Sequence, residues 1–215
     1  EHFFDGYAED PEYSLAVLET AFAAGAEVLI LCDTNGGRLP WEVSAAMRGV
    51  QERLPDAPLG IHAHNDTGNG VANSLAAVRD GAVQVQGTMN GYGERTGNAN
   101  LTSIIPALQL KMGFDVVPPE KLRQLTQSSH LIAELANLAP EDSAPFVGRD
   151  AFTHKGGMHA DAVTKVKHSY EHIDPTLVGN KTHISISEVA GRSSLLQKAA
   201  ELGIRLERDS DHTRT

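Results

Sequence analysis

The chain has 215 residues, of which 40% are hydrophobic and 21% charged, and its formal net charge is −10. No apolar run approaches the roughly 20 residues that a membrane-spanning helix needs. An acidic chain is also a poor candidate for binding nucleic acid. The single cysteine, Cys32, excludes an internal disulfide and fits a reducing compartment, so we expect a cytoplasmic protein with neither a membrane nor a nucleic-acid partner.

The two ends of the chain suggest a piece of a longer protein. The chain lacks an initiator Met, and the segment 1–6 (EHFFDG) is typical of a strand that ends and runs into a loop. The last residues, 208–215, are polar and contain no terminating element. We therefore expect further sequence on both sides, and we expect the isolated segment to be inactive.

Strand and helix patterns alternate over the first half of the chain. Helical patterns begin at prolines or polar caps and end at glycines or prolines, whereas the strand patterns are short apolar runs typical of buried parallel strands. In chain order we predict a helix at 11–24, a strand at 27–32, a helix at 40–54, a strand at 59–64, a helix at 69–80, a strand at 82–88 and a helix at 100–112. The repeated βα unit indicates a parallel sheet with helices outside it.

An open doubly wound sheet and a (β/α)8 barrel both fit this alternation. Polar clusters follow every predicted strand, which favours the barrel, because barrel sites draw residues from the carboxyl ends of several strands. We predict an α/β fold with three segments. Residues 1–113 form the C-terminal half of a (β/α)8 TIM barrel whose other half precedes Glu1, 114–150 form a flanking helix and connector, and 151–215 form a truncated part of a mostly helical linker subdomain.

His62 and His64 are the clearest local signal of chemistry. Residues i and i+2 of a strand point to the same face, so both imidazoles lie together at a strand end, where they form half of a metal site. Asn65 and Asp66 follow as hydrogen-bonding partners for these ligands. The alternative is a pair of core histidines that bond to backbone groups.

The glycine-rich loop 91–98 follows the next strand. Asn98 is either the N-cap of the following helix or an oxygen ligand for a hard metal. Glu94 and Arg95 form either an exposed ion pair or one wall of a site. In the loop after the first strand, Asp33 caps a turn, and Thr34 presents a hydroxyl that a substrate carboxylate could accept from.

Three motifs carry a resemblance to a known family. The segments 61–66 (IHAHND), 93–98 (GERTGN) and 152–161 (FTHKGGMHAD) resemble, in order and spacing, motifs of the 2-isopropylmalate synthase family, the acyltransferase branch of the DRE-TIM metallolyases. The resemblance extends to about Gly203. Within the family, which also includes homocitrate synthases, segments 1–6, 31–37 and 170–175 are most similar to the citramalate synthase group.

The resemblance implies roles for individual residues. His62 and His64 match the family's metal-binding histidines, and Asn98 matches an asparagine at or near the metal. Glu1 matches a catalytic glutamate and Thr34 a threonine that contacts substrate. The family's aspartate ligand and its neighbouring arginine, on the first barrel strand, have no counterpart in this chain.

Two further positions match a pair in the family's linker region. His159 and Tyr170 correspond to a His/Tyr pair that reaches the partner subunit's active site in family dimers, so the resemblance implies a homodimer with shared sites. From the residues alone, His154 and His159 need not share a face, and packing roles explain them as well.

The resemblance also implies a reaction. A divalent metal (Zn, Mn or Mg) would polarise the ketone of a 2-oxo acid for attack by acetyl-CoA, with thioester hydrolysis afterwards. Pyruvate is the favoured 2-oxo acid, which gives citramalate on a route to isoleucine; a 2-isopropylmalate or homocitrate synthase is the alternative. A metallohydrolase barrel and a catalytically incompetent piece are further alternatives, whereas a lyase relative would carry a cysteine where this chain has Tyr92.

Overall fold

The computed structural model describes residues 1–155 and 171–185. The chain divides into two compact units, Glu1–Val116 and Val117–Thr215. The first unit alternates helices and strands as the sequence predicts. Its elements are α1 (Phe3–Glu9), α2 (Pro11–Ala23), β1 (Leu29–Asp33), α3 (Pro40–Arg53), β2 (Leu59–Ala63), α4 (Gly70–Arg79), β3 (Gln84–Gln86) and α5 (Leu101–Leu110), with a 3-10 turn at Met89–Gly91.

The three strands form one parallel sheet in the order β1-β2-β3. Leu31 of β1 and Ile61 of β2 are fully buried, and Val43, Met47 and Val50 of α3 are equally buried. These α3 residues recur at the helical period, so one face of α3 faces the core that it shares with the two strands. The predicted parallel sheet with outer helices is therefore confirmed.

The first residues of the chain correct one prediction. The sequence predicts that segment 1–6 ends a strand and enters a loop, but α1 begins at Phe3. Phe3 and Phe4 are both buried in the core, and the ring of Phe3 packs 5.4 Å from that of Tyr7, one helical turn later. Burial of this aromatic face stabilises a helix where the sequence predicts the end of a strand.

The second unit carries two helices and a small sheet in its described part. The flanking helix that the sequence predicts within residues 114–150 divides into α6 (Pro119–Leu122) and α7 (Leu125–Leu135). The strands β4 (Thr153–Lys155) and β5 (His183–Ser185) pair in parallel, and a 3-10 turn covers Pro175–Val178. Within residues 1–155 and 171–185, every helix is too short or too polar to cross a bilayer.

A buried carboxylate lies in the described part of this second unit. The Glu171 side chain is 5% exposed and accepts a hydrogen bond from Thr182 Oγ1. His154 Nε2 lies 3.4 Å from the same carboxylate oxygen. Because His154 is itself largely buried, the structure gives it a packing and hydrogen-bonding role inside the unit.

Candidate metal and substrate site

Side chains from the carboxyl ends of β1, β2 and β3 line a cavity of about 420 Å³. The strand register places Cys32, His62 and Gln86 abreast on the three strands, and in a parallel sheet such abreast residues point to the same face. The lining residues are Glu1, Cys32, Thr34, His62, His64, Gln86 and Glu94. Five of these seven are predicted site residues; Cys32 and Gln86 are not, because only the register reveals them.

His62 and His64 lie together as the i, i+2 spacing predicts. Their ring centroids are 5.2 Å apart, with an angle of 75° between the ring planes, and the intervening Ala63 is fully buried on the opposite face of the strand. Burial, followed by the nearby His64, lowers the pKa of His62 below its ordinary value. The fold therefore favours a neutral His62 imidazole, which is the form that binds a metal.

His64 is held from the side of its Nδ1 atom. His64 Nδ1 lies 2.5 Å from the carbonyl oxygen of Thr34 and 2.9 Å from Arg95 Nη2. Arg95 Nη2 also donates to Thr34 O at 2.8 Å, and the guanidinium forms two bonds with the Asp66 carboxylate. This guanidinium holds the pKa of the Asp66 carboxyl below its ordinary value.

Asn98 presents an oxygen atom with no hydrogen-bond partner among the described residues. Asn98 Oδ1 is buried, whereas Nδ2 donates to Tyr92 O at 3.1 Å. A Cβ atom at Gly93 would lie 2.0 Å from Asn98 Nδ2, so glycine is required for this approach. The N-cap alternative is wrong, because Asn100 caps α5 by accepting from Thr102 N.

The loop after β1 contains one structural and one accessible polar residue. Asp33 is fully buried and accepts from the backbone N–H groups of Gly37 and Arg38, so it caps a turn. Burial raises the pKa of this carboxyl. Thr34 lines the cavity, and its Oγ1 accepts from His2 N at 2.7 Å, which leaves its hydroxyl proton for another acceptor.

The remaining predicted site residues differ in their location and contacts. Glu1 and Glu94 line the cavity, and the Glu94 side chain is 83% exposed at its rim. Three polar contacts with Asp66 and Thr34 occupy Nε and Nη2 of Arg95, so a substrate contact by Arg95 stays a prediction. His159 and Tyr170 lie outside the described residues.

The residues present fit a divalent metal. The fit depends on a mixed set of donors, because no group of three or more His, Cys, Asp or Glu side chains in residues 1–155 and 171–185 could hold a metal. The candidate donors are instead the two imidazoles and the buried amide oxygen of Asn98. A buried carbonyl oxygen without a hydrogen-bond donor is costly, and a cation beside the adjacent His62 and His64 would satisfy it.

A parallel sheet with outer helices and a histidine pair at the end of one strand is typical of the class of metal-dependent α/β barrels. The comparisons with known proteins agree. The family model for HMGL-like proteins matches residues 4–132, and the chain belongs to this family. A second model, described as homocitrate synthase post-HMGL domain-like, matches residues 146–214.

Curated relatives narrow the resemblance. The chain is 57% identical to an (R)-citramalate synthase of Aquifex aeolicus, over 96% of this chain and 39% of the relative. It is 55% identical to an (R)-citramalate synthase of Synechocystis, over 100% of this chain and 41% of the relative. Its identity to a 2-isopropylmalate synthase of Synechococcus is lower, 36% over 95% of this chain and 41% of the relative. The family resemblance predicted from the three motifs is confirmed. The chain spans about two fifths of the length of these relatives.

Solved structures support the fold. An HMG-CoA lyase from Acinetobacter baumannii superposes with a TM-score of 0.52 at 24% identity, over 62% of this chain and 45% of that one. The carboxyl transferase domain of Rhizobium etli pyruvate carboxylase gives a TM-score of 0.51 at 23% identity, over 59% of this chain and 20% of that one. The predicted barrel topology is confirmed by these similarities and by the parallel order of the strands.

Proposed function

We propose that the protein containing this chain condenses acetyl-CoA with pyruvate and water to give citramalate and free CoA. One observation carries the proposal: His62 and His64 lie at the carboxyl end of β2, and Asn98, whose buried oxygen has no partner among the described residues, pairs with His64 in an isolated β-bridge, in a chain 57% identical to a citramalate synthase. The higher identity to citramalate synthases than to 2-isopropylmalate synthases supports pyruvate as the 2-oxo acid. Its product would serve isoleucine biosynthesis.

The cavity residues would have two roles, metal binding and substrate binding. His62, His64 and Asn98 would hold a divalent metal, which when bound supplies Lewis-acid polarisation of the 2-oxo acid's ketone. The Thr34 hydroxyl would donate to the substrate carboxylate; in support, it lines the cavity and its proton is not used in the contact with His2. Glu1, together with Glu94 and Arg95, would flank the substrate at the rim.

The linker residues would complete the proton transfers. We propose His159 with Tyr170 as the base or relay that removes a proton from the acetyl methyl group, a task for which imidazole and phenol groups are suited. The matching family pair implies that a partner subunit supplies them, so the enzyme would be a homodimer.

Release of the CoA thiol tests the reaction. The assay supplies acetyl-CoA and a divalent metal with pyruvate, 2-oxoisovalerate or 2-oxoglutarate, which separates citramalate, 2-isopropylmalate and homocitrate synthesis. We expect turnover with pyruvate, and none in His64→Ala, which also loses metal binding. His130→Ala is the matched control because His130 is exposed on α7. Thiol release that is independent of any 2-oxo acid would refute the proposal.

The shared site has its own test. Tyr170→Phe should retain metal binding but lose roughly 10²–10⁴ in turnover, as expected for the loss of a proton-transfer group. In a mixed dimer with His64→Ala, one site carries neither change and one carries both. Partial recovery of activity on co-expression is expected; no recovery in confirmed mixed dimers would contradict a shared site.

A further inference from the structure

Arg95 connects the loops that follow all three strands of the sheet. It lies in the loop after β3, and its guanidinium donates to Asp66 in the loop after β2 and to the Thr34 carbonyl in the loop after β1. The pairing with Asp66 is bidentate, with Nε–Oδ1 at 2.8 Å and Nη2–Oδ2 at 3.0 Å. Two parallel bonds fix the plane of the guanidinium as well as its position.

The backbone at Arg95 is unusual for its residue type. Arg95 has a φ of 54°, in the left-handed region that non-glycine residues rarely adopt. Such a conformation persists where surrounding contacts hold it, and the guanidinium supplies those contacts. The Arg95 side chain is 43% exposed, and an exposed ion pair contributes little stability. The contacts of Arg95 with Asp66 and Thr34 are therefore better explained by the positioning of these groups than by a contribution to the stability of the fold.

The protons of Arg95 Nη2 determine how His64 is held. Arg95 Nη2 has two protons and three polar neighbours, namely Asp66 Oδ2, Thr34 O and His64 Nδ1 at 2.9 Å. If the two oxygens accept both protons, none remains for His64 Nδ1, which must then carry its own proton to bond Thr34 O. A carbonyl oxygen has two lone pairs and accepts from both donors.

We propose that Arg95 is a positioning residue: by fixing the Thr34 carbonyl, it holds His64 in the Nδ1–H tautomer and leaves the Nε2 lone pair for a divalent metal. The inference rests on the metal-binding role of His64 in the proposed function. Partners that orient a metal-binding histidine in this way typically change metal affinity by 10–100-fold. Arg95 would then act on the chemistry through His64.

Two variants separate the guanidinium from the loop. Arg95→Lys keeps the positive charge but cannot form the planar bidentate contact. Arg95→Gly removes the side chain and leaves the positive φ freely accessible, so the loop itself is not strained. The matched control is Arg53→Lys, because Arg53 forms a similar two-bond contact with Glu19 on the surface, outside the cavity.

The first measurement uses the metal-free protein. Two-bond ¹H–¹⁵N correlation spectra of histidine-labelled protein, at a pH where the imidazoles are neutral, distinguish the two tautomers. We expect His64 to be Nδ1–H in the parent and in Arg53→Lys, and a mixture of tautomers in Arg95→Gly and Arg95→Lys. A parent protein with His64 protonated on Nε2, or an unchanged tautomer in both Arg95 variants, would overturn the proposal.

The second measurement is the affinity for Mn²⁺ or Zn²⁺, by competition with a chromophoric chelator. We expect both Arg95 variants to bind 10–100-fold more weakly, with the thermal unfolding midpoint checked to confirm that each variant is folded. If the parent condenses pyruvate and both Arg95 variants bind the metal as tightly as the parent does, the positioning role is refuted and the proposed function is not. If metal binding depends on Arg95 but the parent does not condense acetyl-CoA with pyruvate, the proposed function is refuted and the positioning role is supported.

Discussion

Asn98 and Asn100 are two residues apart and have different roles. Among the described residues, the buried Asn98 Oδ1 has no hydrogen-bond partner, whereas Asn100 Oδ1 accepts from Thr102 at the start of α5. Both are asparagines in a polar loop, so residue type alone does not distinguish a ligand from a cap. Their surroundings distinguish them, and a pair of alanine variants makes the difference measurable.

We expect Asn98→Ala to lower the affinity for a divalent metal at least tenfold, because it removes the unbonded oxygen, and to lower the free energy of unfolding by about 0.5–1.5 kcal/mol, because it also removes the bond from Nδ2 to Tyr92 O. Asn100→Ala should leave metal affinity unchanged and lower the free energy of unfolding by about 0.5–2 kcal/mol, as for the loss of an N-cap. Chelator competition and urea unfolding on both variants measure the two quantities. Equal metal affinity in the Asn98 variant and the parent would remove Asn98 from the ligand set.

The buried Asp33 carboxyl predicts a pH dependence of stability. Its pKa is raised by burial, so the folded protein binds its proton at a higher pH than the unfolded chain does. Below that raised pKa and down to the ordinary value of about 3.9, the folded state holds more protons, and stability from this group increases as the pH falls. An amide at this position cannot take up the proton.

We therefore expect Asp33→Asn to be destabilised by about 1–3 kcal/mol at pH 7, because an amide cannot accept from two N–H groups with both terminal atoms. The difference from the parent should widen between pH 7 and pH 4. Urea unfolding across this range measures it, with the exposed Asp56→Asn as the control. A difference that narrows toward pH 4 would contradict the raised pKa.

Local spacing predicts some site residues and not others. The i, i+2 rule places His62 and His64 on one face without any tertiary information, and the cavity confirms it. Cys32 and Gln86 escape sequence reasoning because their position beside His62 depends on how three strands align, which no local pattern encodes. Asn98 is ambiguous in the sequence for the same reason.

At the scale of elements, the loop between β1 and α3 packs directly on the loop after β2. Gly36 has a φ of 63°, and a Cβ atom there would lie 2.4 Å from Asp66 Oδ2 and 2.7 Å from Asp66 N. Gly36 O also accepts from the backbone and the side chain of Thr67. Only glycine allows this approach, so the position of Asp66 depends on it.

Gly36→Ala should lower the free energy of unfolding by about 1–3 kcal/mol, since a left-handed conformation and a steric clash both act on the new side chain. It should also weaken metal binding by displacing Asp66 and, through it, Arg95. Gly37→Ala is the matched control, because its nearest contact would be Asn35 Oδ1 at 3.4 Å. Thermal unfolding and chelator competition apply to both; equal effects at the two positions would refute the steric argument.

The elements themselves are largely predictable, with errors at their ends. The helix at 40–54 and the strand at 59–64 differ from α3 and β2 by one residue, because strong apolar periods and flanking prolines define them. The prediction for segment 1–6 is wrong because α1 depends on burial of Phe3 and Phe4 against the core, a tertiary effect. The strand at 82–88 is reduced to Gln84–Gln86.

At the scale of the whole molecule, the sheet has an open side at β3. Among the described strands, β3 pairs with β2 alone. A groove of about 560 Å³ lies beside it, lined mainly by apolar side chains of α4, α5 and β3, including Val85, Ile104 and Leu108. Val83 is 69% exposed and Phe114 45% exposed along this groove. An unpaired strand beside exposed apolar surface favours association.

We expect the 215-residue chain on its own to bind a hydrophobic dye such as ANS and to self-associate at micromolar concentration. The double variant Val83→Lys/Phe114→Lys should weaken self-association at least tenfold, because it places two positive charges beside the unpaired edge, as natural edge strands do. Trp41→Lys removes an equally exposed large side chain, 67% exposed on α3 and not part of the groove, and should change neither property. Sedimentation velocity over a hundredfold range of concentration measures the association. If the parent chain stays monomeric and binds no dye, the β3 edge is not an association surface; if the Trp41 variant weakens association as much as the double variant does, general surface charge explains the effect.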